Sequence, residues 1–203
     1  FFNMSFKQMI DPNLWYRDTE ITLEGVKYTL NNEFWDNLIG NIENERALLK
    51  VFYTHKDVSL LEDEKKSAML LEVLRKHKCS EMLQIIEDGF QPLKVDKKDI
   101  SQFSDFKDAY YTVPFMLQNC GLKDVDYSKM GYMLRDEKRK DVADKKYGEN
   151  HMKTAAQLGL CRFEKCRGNA NALGSCFVKL SESDRRNILP KLCLYIPYIQ
   201  NYF

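Results

Sequence analysis

The earliest regular pattern in the chain is an alternation. Ile21, Leu23, Val26, Tyr28 and Leu30 are apolar on either side of Glu24-Gly25, which predicts a short β-hairpin turning at that pair. The period then lengthens. Phe34, Trp35, Leu38 and Ile39, followed by Leu48, Leu49, Val51 and Phe52, recur at helical spacing and predict two helices, with Asn31 and Asn32 supplying an N-cap. Ser59 to Lys78 predicts a third helix, carrying Leu60, Leu61, Met69, Leu71, Val73 and Leu74 inward and the charged run EDEKK near its start. Ser80 is the expected cap of a shorter helix through Met82, Leu83, Ile85 and Ile86, ended by Gly89 and Pro92.

Asp96 to Asp99 forms a polar hinge, and Phe106 to Asn119 an aromatic-rich stretch in which Pro114 should kink or restart the helix. Gly121 to Asp124 marks the expected boundary between a helical domain with a small N-terminal β-hairpin (residues 1–122) and a second domain (residues 123–203). The fold class that follows is mainly α with short β-hairpins.

The order of elements in the second domain is more specific. Tyr127 to Leu134 predicts a short helix with Met130, Met133 and Leu134 inward, and the lysine-rich segment RDEKRKDVADKK follows it. In YGENHMKTAAQLGL, Met152, Ala155, Ala156 and Leu158 face inward while Glu149, Asn150, Lys153 and Gln157 face outward, and Gly159 ends the helix. Leu160 to Cys166 is the expected strand of a second hairpin, with Ser175 to Leu180 as its partner and RGNANALG as the loop. Ser181 then caps a last helix in a capping-box-like spacing with Asp184, and Pro190 bends it.

Charge separates the two parts. Residues 1–122 hold 15 Lys and Arg against 20 Asp and Glu, a net of −5, whereas residues 123–203 hold 16 against 10, a net of +6. The C-terminal part is therefore the one a phosphate backbone would attract.

Helix, helix and hairpin in this order, together with YGENHMKTAAQLGL, Phe177-Val178-Lys179-Leu180-Ser181 and DRRNILPKLCLYIPYIQNYF, resemble the winged-helix segments of restriction-modification proteins, notably the DNA-recognition parts of type II restriction endonucleases. The resemblance covers residues 124–203 and departs from the family pattern in the RDEKRKDVADKK insertion. Residues 1–122 carry no such resemblance. It implies a helix-turn-helix module with a wing, binding double-stranded DNA as the recognition region of a larger endonuclease. The residue chemistry agrees with that implication, since Asn and Gln suit adenine and Lys suits guanine in the major groove. Asn150, Lys153 and Gln157 are the expected base-reading side chains. Lys145, Lys146 and Tyr147 before them, and Arg162, Lys165 and Arg167 on the wing, are the expected backbone contacts. His151 shares the helix with apolar neighbours and is expected to pack or cap.

No catalytic set emerges. A carboxylate nuclease needs an acidic residue and an Asp/Glu-x-Lys on adjacent strands to hold Mg²⁺. Glu64-Lys65-Lys66 and Asp105-Phe106-Lys107 have the spacing but fall in helical contexts. No cofactor is expected in this chain itself, and Mg²⁺ only with a nuclease domain. Cys161, Cys166, Cys176 and His151 lack a zinc knuckle, because strand alternation sends Cys161 and Cys166 to opposite faces. The rival expectations are a complete small Mg²⁺-dependent endonuclease and a winged-helix module for protein contacts.

With no signal peptide and no run near the ~18 apolar residues of a membrane span, the expected compartment is the bacterial cytoplasm. Its thiols should be reduced and its six cysteines packed as apolar residues. The absence of an initiator Met and the apolar end at Tyr202-Phe203 suggest a region cut from something longer. A homodimer would draw on Tyr110, Tyr111, Phe115 or the Tyr195 to Phe203 tail, although aromatics at helical spacing are more often core.

Overall fold

Both residues of the first expected turn have left-handed backbone, Glu24 at φ 50° and Gly25 at φ 80°, a geometry whose twist matches that of paired strands. Around it β1 (Glu20–Leu23) and β2 (Val26–Thr29) pair antiparallel, with Ile21 and Leu23 buried. The computed structural model describes residues 18–88, 95, 100, 105–119, 124–134 and 141–203; the expected stop at Gly89 and Pro92, the hinge at 96–99, Gly121 and Cys120 lie outside them.

Asparagine caps start the next two helices. In α1 (Asn32–Asp36) the Asn31 side chain accepts from Phe34 N at 2.9 Å, and in α2 (Ile42–Tyr53) Asn41 accepts from Asn44 N at 3.2 Å. The single helix expected over Ser59 to Lys78 is corrected to a 3₁₀ turn at Ser59–Leu61 followed by α3 (Glu64–Lys76). Local acceptors cause the break. Asp57 accepts from Ser59 N at 3.0 Å and Asp63 from Lys66 N at 2.9 Å, so each side chain starts its own turn. Ser80 is not a cap, because α4 (Cys79–Asp88) already encloses it; the Lys78 carbonyl accepts from Glu81 N and Met82 N, which places the first turn earlier.

After a 3₁₀ turn at Phe106–Asp108, α5 (Ala109–Asn119) runs through Pro114 without restarting. Then come β3 (Val125–Asp126), α6 (Tyr127–Leu134) and α7 (Asp141–Gln157), so the latter half of the expected polar insertion is helix. Gly159 at φ 75° stops α7 as expected. The second hairpin differs from its prediction. β4 (Cys161–Glu164) turns at Lys165-Cys166, both with positive φ, into β5 (Arg167–Ala170), and the expected partner strand is instead α8 (Ala172–Lys179). A short apolar run fits either period. Asn171 decides for the helix: its side chain accepts from Gly174 N at 2.9 Å and donates to Gly159 O at 2.8 Å.

β5 is the centre of a three-stranded antiparallel sheet ordered β3-β5-β4. Among the described residues from 109 to 170 the chain thus runs helix, strand, helix, helix, strand, strand. The helices α6 and α7 cross with their backbones in contact. A Cβ added to Gly131 would lie 1.7 Å from Asp144 O, and one added to Gly148 would lie 2.0 Å from Tyr127 O, so no side chain fits at either position.

α9 (Glu182–Cys193), capped by Ser181 as expected, and α10 (Pro197–Gln200) close the chain. They tie it to the N-terminal helices. Tyr53 Oη donates to Lys191 O at 3.0 Å, Gln200 Nε2 donates to Tyr53 O at 2.9 Å, and the buried Lys191 Nζ donates to Leu74 O at 2.6 Å, covering an orphan carbonyl at the end of α3. One connected apolar core extends from Ile21 to Ile196. Mainly α with short antiparallel hairpins, the chain has the class its pattern predicts.

Candidate nucleic-acid interface

The outward face of α7 starts with Lys145 and Lys146, both exposed, and continues through Glu149 to Lys153 and Gln157, which are half-buried. Glu149 sits between two lysines: Lys153 Nζ approaches it to 2.7 Å and Lys146 Nζ to 3.2 Å. The Lys153 hydrogen bond, joined by that of Lys146, outweighs partial burial and holds the Glu149 carboxyl below its usual range. Tyr147 is less available. Its ring lies 4.2 Å from that of His151, and its carbonyl faces His151 Nδ1 at 2.9 Å.

Asn150 is corrected. It is only 8% exposed, and His151, Met152 and Thr154, next to it along the chain, are buried as well. The side of α7 that carries Asp144 and Gly148 is the one pressed onto α6, and Asn150, about 200° around the helix from Gly148, is buried apart from that crossing. Of the expected base-reading trio, Lys153 and Gln157 are half-buried and Asn150 is buried, although Asn150 and Gln157, seven residues apart, lie along one side of α7.

His151 is buried and packs, as expected. A carbonyl can only accept, so Nδ1 carries a proton toward Tyr147 O. Nε2 then faces the Tyr111 hydroxyl at 3.0 Å and an Asp108 carboxylate oxygen at 3.2 Å. Burial, with the Asp108 hydrogen bond adding to it, pushes the Tyr111 phenol above its usual range. The cluster ties α7 to α5 and to the 3₁₀ turn before it.

On the hairpin, Lys165 projects at the turn with its side chain 89% exposed, and Arg167 is exposed beside it. Arg162 is open as well, 3.4 Å from Asp124, and Lys165 stands 3.7 Å from Glu164. Exposed pairs of this kind contribute about 0–1 kcal/mol, little enough for a phosphate to displace the carboxylate.

A hollow of about 420 Å³ opens where α7, β4 and α10 meet, and Val95, Lys153, Ala156, Gln157, Phe163 and Tyr198 are among the residues that line it. Tyr198 Oη donates to Gln157 Oε1 at 3.5 Å, and the Phe163 ring stacks on Tyr127 at 5.1 Å between centroids. Phe163 could be placed from its alternation with Cys161. Tyr198 could not, because it meets α7 across 41 residues of chain.

The thiols do not converge. The Cys161 Sγ turns inward to Met116 Sδ at 3.4 Å, Cys176 Sγ donates to Glu64 O, and Cys166 is exposed in the turn. The five described cysteines are free. Among the described residues no three His, Cys, Asp or Glu side chains gather to hold a metal ion, and no helix is long and apolar enough to cross a membrane. Glu64 begins α3 and pairs with Lys179, while Asp105 caps the 3₁₀ turn before α5; neither stands on a strand. Of the aromatic residues considered for self-association, Tyr195 stacks on Phe52 at 4.5 Å and Tyr110 on Phe177 at 6.2 Å, while Tyr202 and Phe203 are exposed.

No family model, no curated protein and no solved structure matches the chain.

Proposed function

We propose that the chain binds double-stranded DNA through the surface shared by α7 and the β4–β5 hairpin, in the manner of a winged helix, as the recognition region of a restriction-modification protein of the type II endonuclease kind. The observation that carries the reading is the element order from 109 to 170, with a β3-β5-β4 sheet that sets the hairpin beside α7. Cations lie on both parts of that surface. Lys145 and Lys146 stand on α7, and Arg162, Lys165 and Arg167 on the hairpin, where Glu164 is the sole acidic residue between 161 and 170.

The work divides between the two sets of side chains. The exposed cations neutralise phosphates and set the register without reading sequence. Lys153 and Gln157 supply the hydrogen-bonding groups that distinguish bases. Membership in a restriction-modification protein rests on the resemblance of residues 124–203 alone.

Electrophoretic mobility shift on a pool of random duplexes, at two salt concentrations and followed by sequencing of the bound fraction, tests the proposal. A retarded band that weakens steeply with salt and carries an enriched motif is the expected result. The absence of any shift at low salt would overturn it.

A further inference from the structure

We infer that the hollow between α7, β4 and α10 is a nucleobase pocket, which receives one base unstacked from the bound duplex; the inference rests on the DNA-binding reading above. Shape is the first argument. Base edges lie at the floor of a groove, and a convex helix face reaches them more readily than a hollow does. Lys153 and Gln157, the two outward groups with base-reading chemistry, line a hollow. What can enter it from DNA is a part that projects from the duplex, and a base rotated out of the stack is such a part.

Size and lining agree. About 420 Å³ falls within the range of pockets that enclose small planar ligands. Phe163 and Tyr198 give the walls aromatic surface, on which a base can stack. The Gln157 amide carries both a donor and an acceptor, the pair that the Watson–Crick edge of a base requires, and an entering base would exchange with the partners it already has, Tyr198 Oη at 3.5 Å among them. Lys153 is already paired with Glu149 at 2.7 Å, so the lining suits a neutral ring better than a phosphate.

The surroundings can hold the strand on either side. Lys146 stands seven residues before Lys153, about 10 Å along the helix axis, and Arg162 precedes Phe163 on β4. Both are exposed cations, suited to the phosphates that flank an everted nucleotide.

The test uses duplexes carrying the motif enriched in the bound pool, with 2-aminopurine at each position in turn, paired or mismatched, and a terminal dye. Dye anisotropy reads binding and 2-aminopurine emission reads unstacking in the same sample. Expected are a several-fold rise in emission at one position and roughly tenfold tighter binding when that position is mismatched, because a mismatched base is easier to extrude. Ala156→Trp, which fills the hollow, should abolish both effects while binding of the matched duplex stays within about threefold. Gln157→Ala, at the open end of α7, should remove the mismatch preference without disturbing the fold. Binding by the wild-type chain with no rise at any position would overturn the pocket and leave the DNA-binding reading standing. An undiminished rise in a folded Ala156→Trp variant would also overturn it. Failure to bind any duplex would overturn both.

Discussion

Gly148 meets Tyr127 backbone to backbone: a Cβ on Gly148 would stand 2.0 Å from the Tyr127 carbonyl oxygen and 2.6 Å from Gly131 N. The pair fixes how α7 rolls against α6, and with it which side of α7 points outward. Gly148→Ala must push the two helices apart. It should cost at least about 1–3 kcal/mol, the usual range for overpacking, although alanine is the better helix former. Urea denaturation of the two proteins measures the loss, and unchanged stability would show that the helices do not touch.

Glu45 is buried between the Gly40 N–H at 2.9 Å, Lys76 Nζ at 2.9 Å and His77 Nε2 at 2.8 Å. Burial works to raise its carboxyl, but the Gly40, Lys76 and His77 hydrogen bonds outweigh it, and the folded value lies below the ordinary one. A depressed carboxyl contributes stability that is present above the unfolded value, near 4.5, and lost as pH falls through the folded value. Glu45→Gln, which weakens hydrogen bonds to a charged group, should cost about 1–3 kcal/mol at neutral pH and flatten the acid limb of the stability profile. Urea titrations between pH 3 and 7 would show an unaltered limb if Glu45 were not its source.

Burial raises the Cys193 thiol to about 12 and the Tyr195 phenol to about 12. Groups raised in the folded state give stability that is full below their unfolded values and lost as pH rises through the folded ones. Stability should fall from about pH 9 for Cys193 and from about pH 10 for Tyr195, by about 1.4 kcal/mol per pH unit for each group. Lys191 works in the opposite sense, since burial lowers its folded value. Cys193→Ala should make the alkaline decline shallower, which thermal melts at pH 8 to 11 would register.

Lys146 and Asn150 should separate binding from folding. Lys146→Ala removes an exposed cation and should weaken binding to all sequences alike, reducing the salt slope by about one unit. Asn150→Ala alters a buried position, and should cost about 1 kcal/mol of stability without changing which sequences are enriched. A changed motif in the Asn150→Ala selection would return that residue to base reading.

Several elements are legible in the sequence. Glu24-Gly25 announced its hairpin, Asn31 and Ser181 announced their caps, and Gly159 announced the end of α7, because each acts through the few residues beside it. Errors arose where two local solutions compete. Ser175 to Leu180 suits a strand as well as a helix, and the Asn171 bonds to Gly174 and Gly159 selected the helix. Ser59 to Lys78 has helical periodicity throughout, yet Asp57 and Asp63 divide it.

By itself the sequence determined the mainly helical class, the helix starts at Asn31, Tyr127 and Ser181 and the basic character of the C-terminal part, since propensity, capping and composition are properties of neighbours along the chain. The tertiary structure decided the outward face of α7. Periodicity shows that a helix has two sides but not where its neighbours will press: Gly131 and Gly148 brought one side of α7 onto α6, and Asn150 is buried although its spacing from Gln157 places it on the polar side. It also decided the hollow. Gln157, Phe163 and Tyr198 belong to three elements that meet only after the tail folds back onto α7, and no spacing along the chain records that meeting.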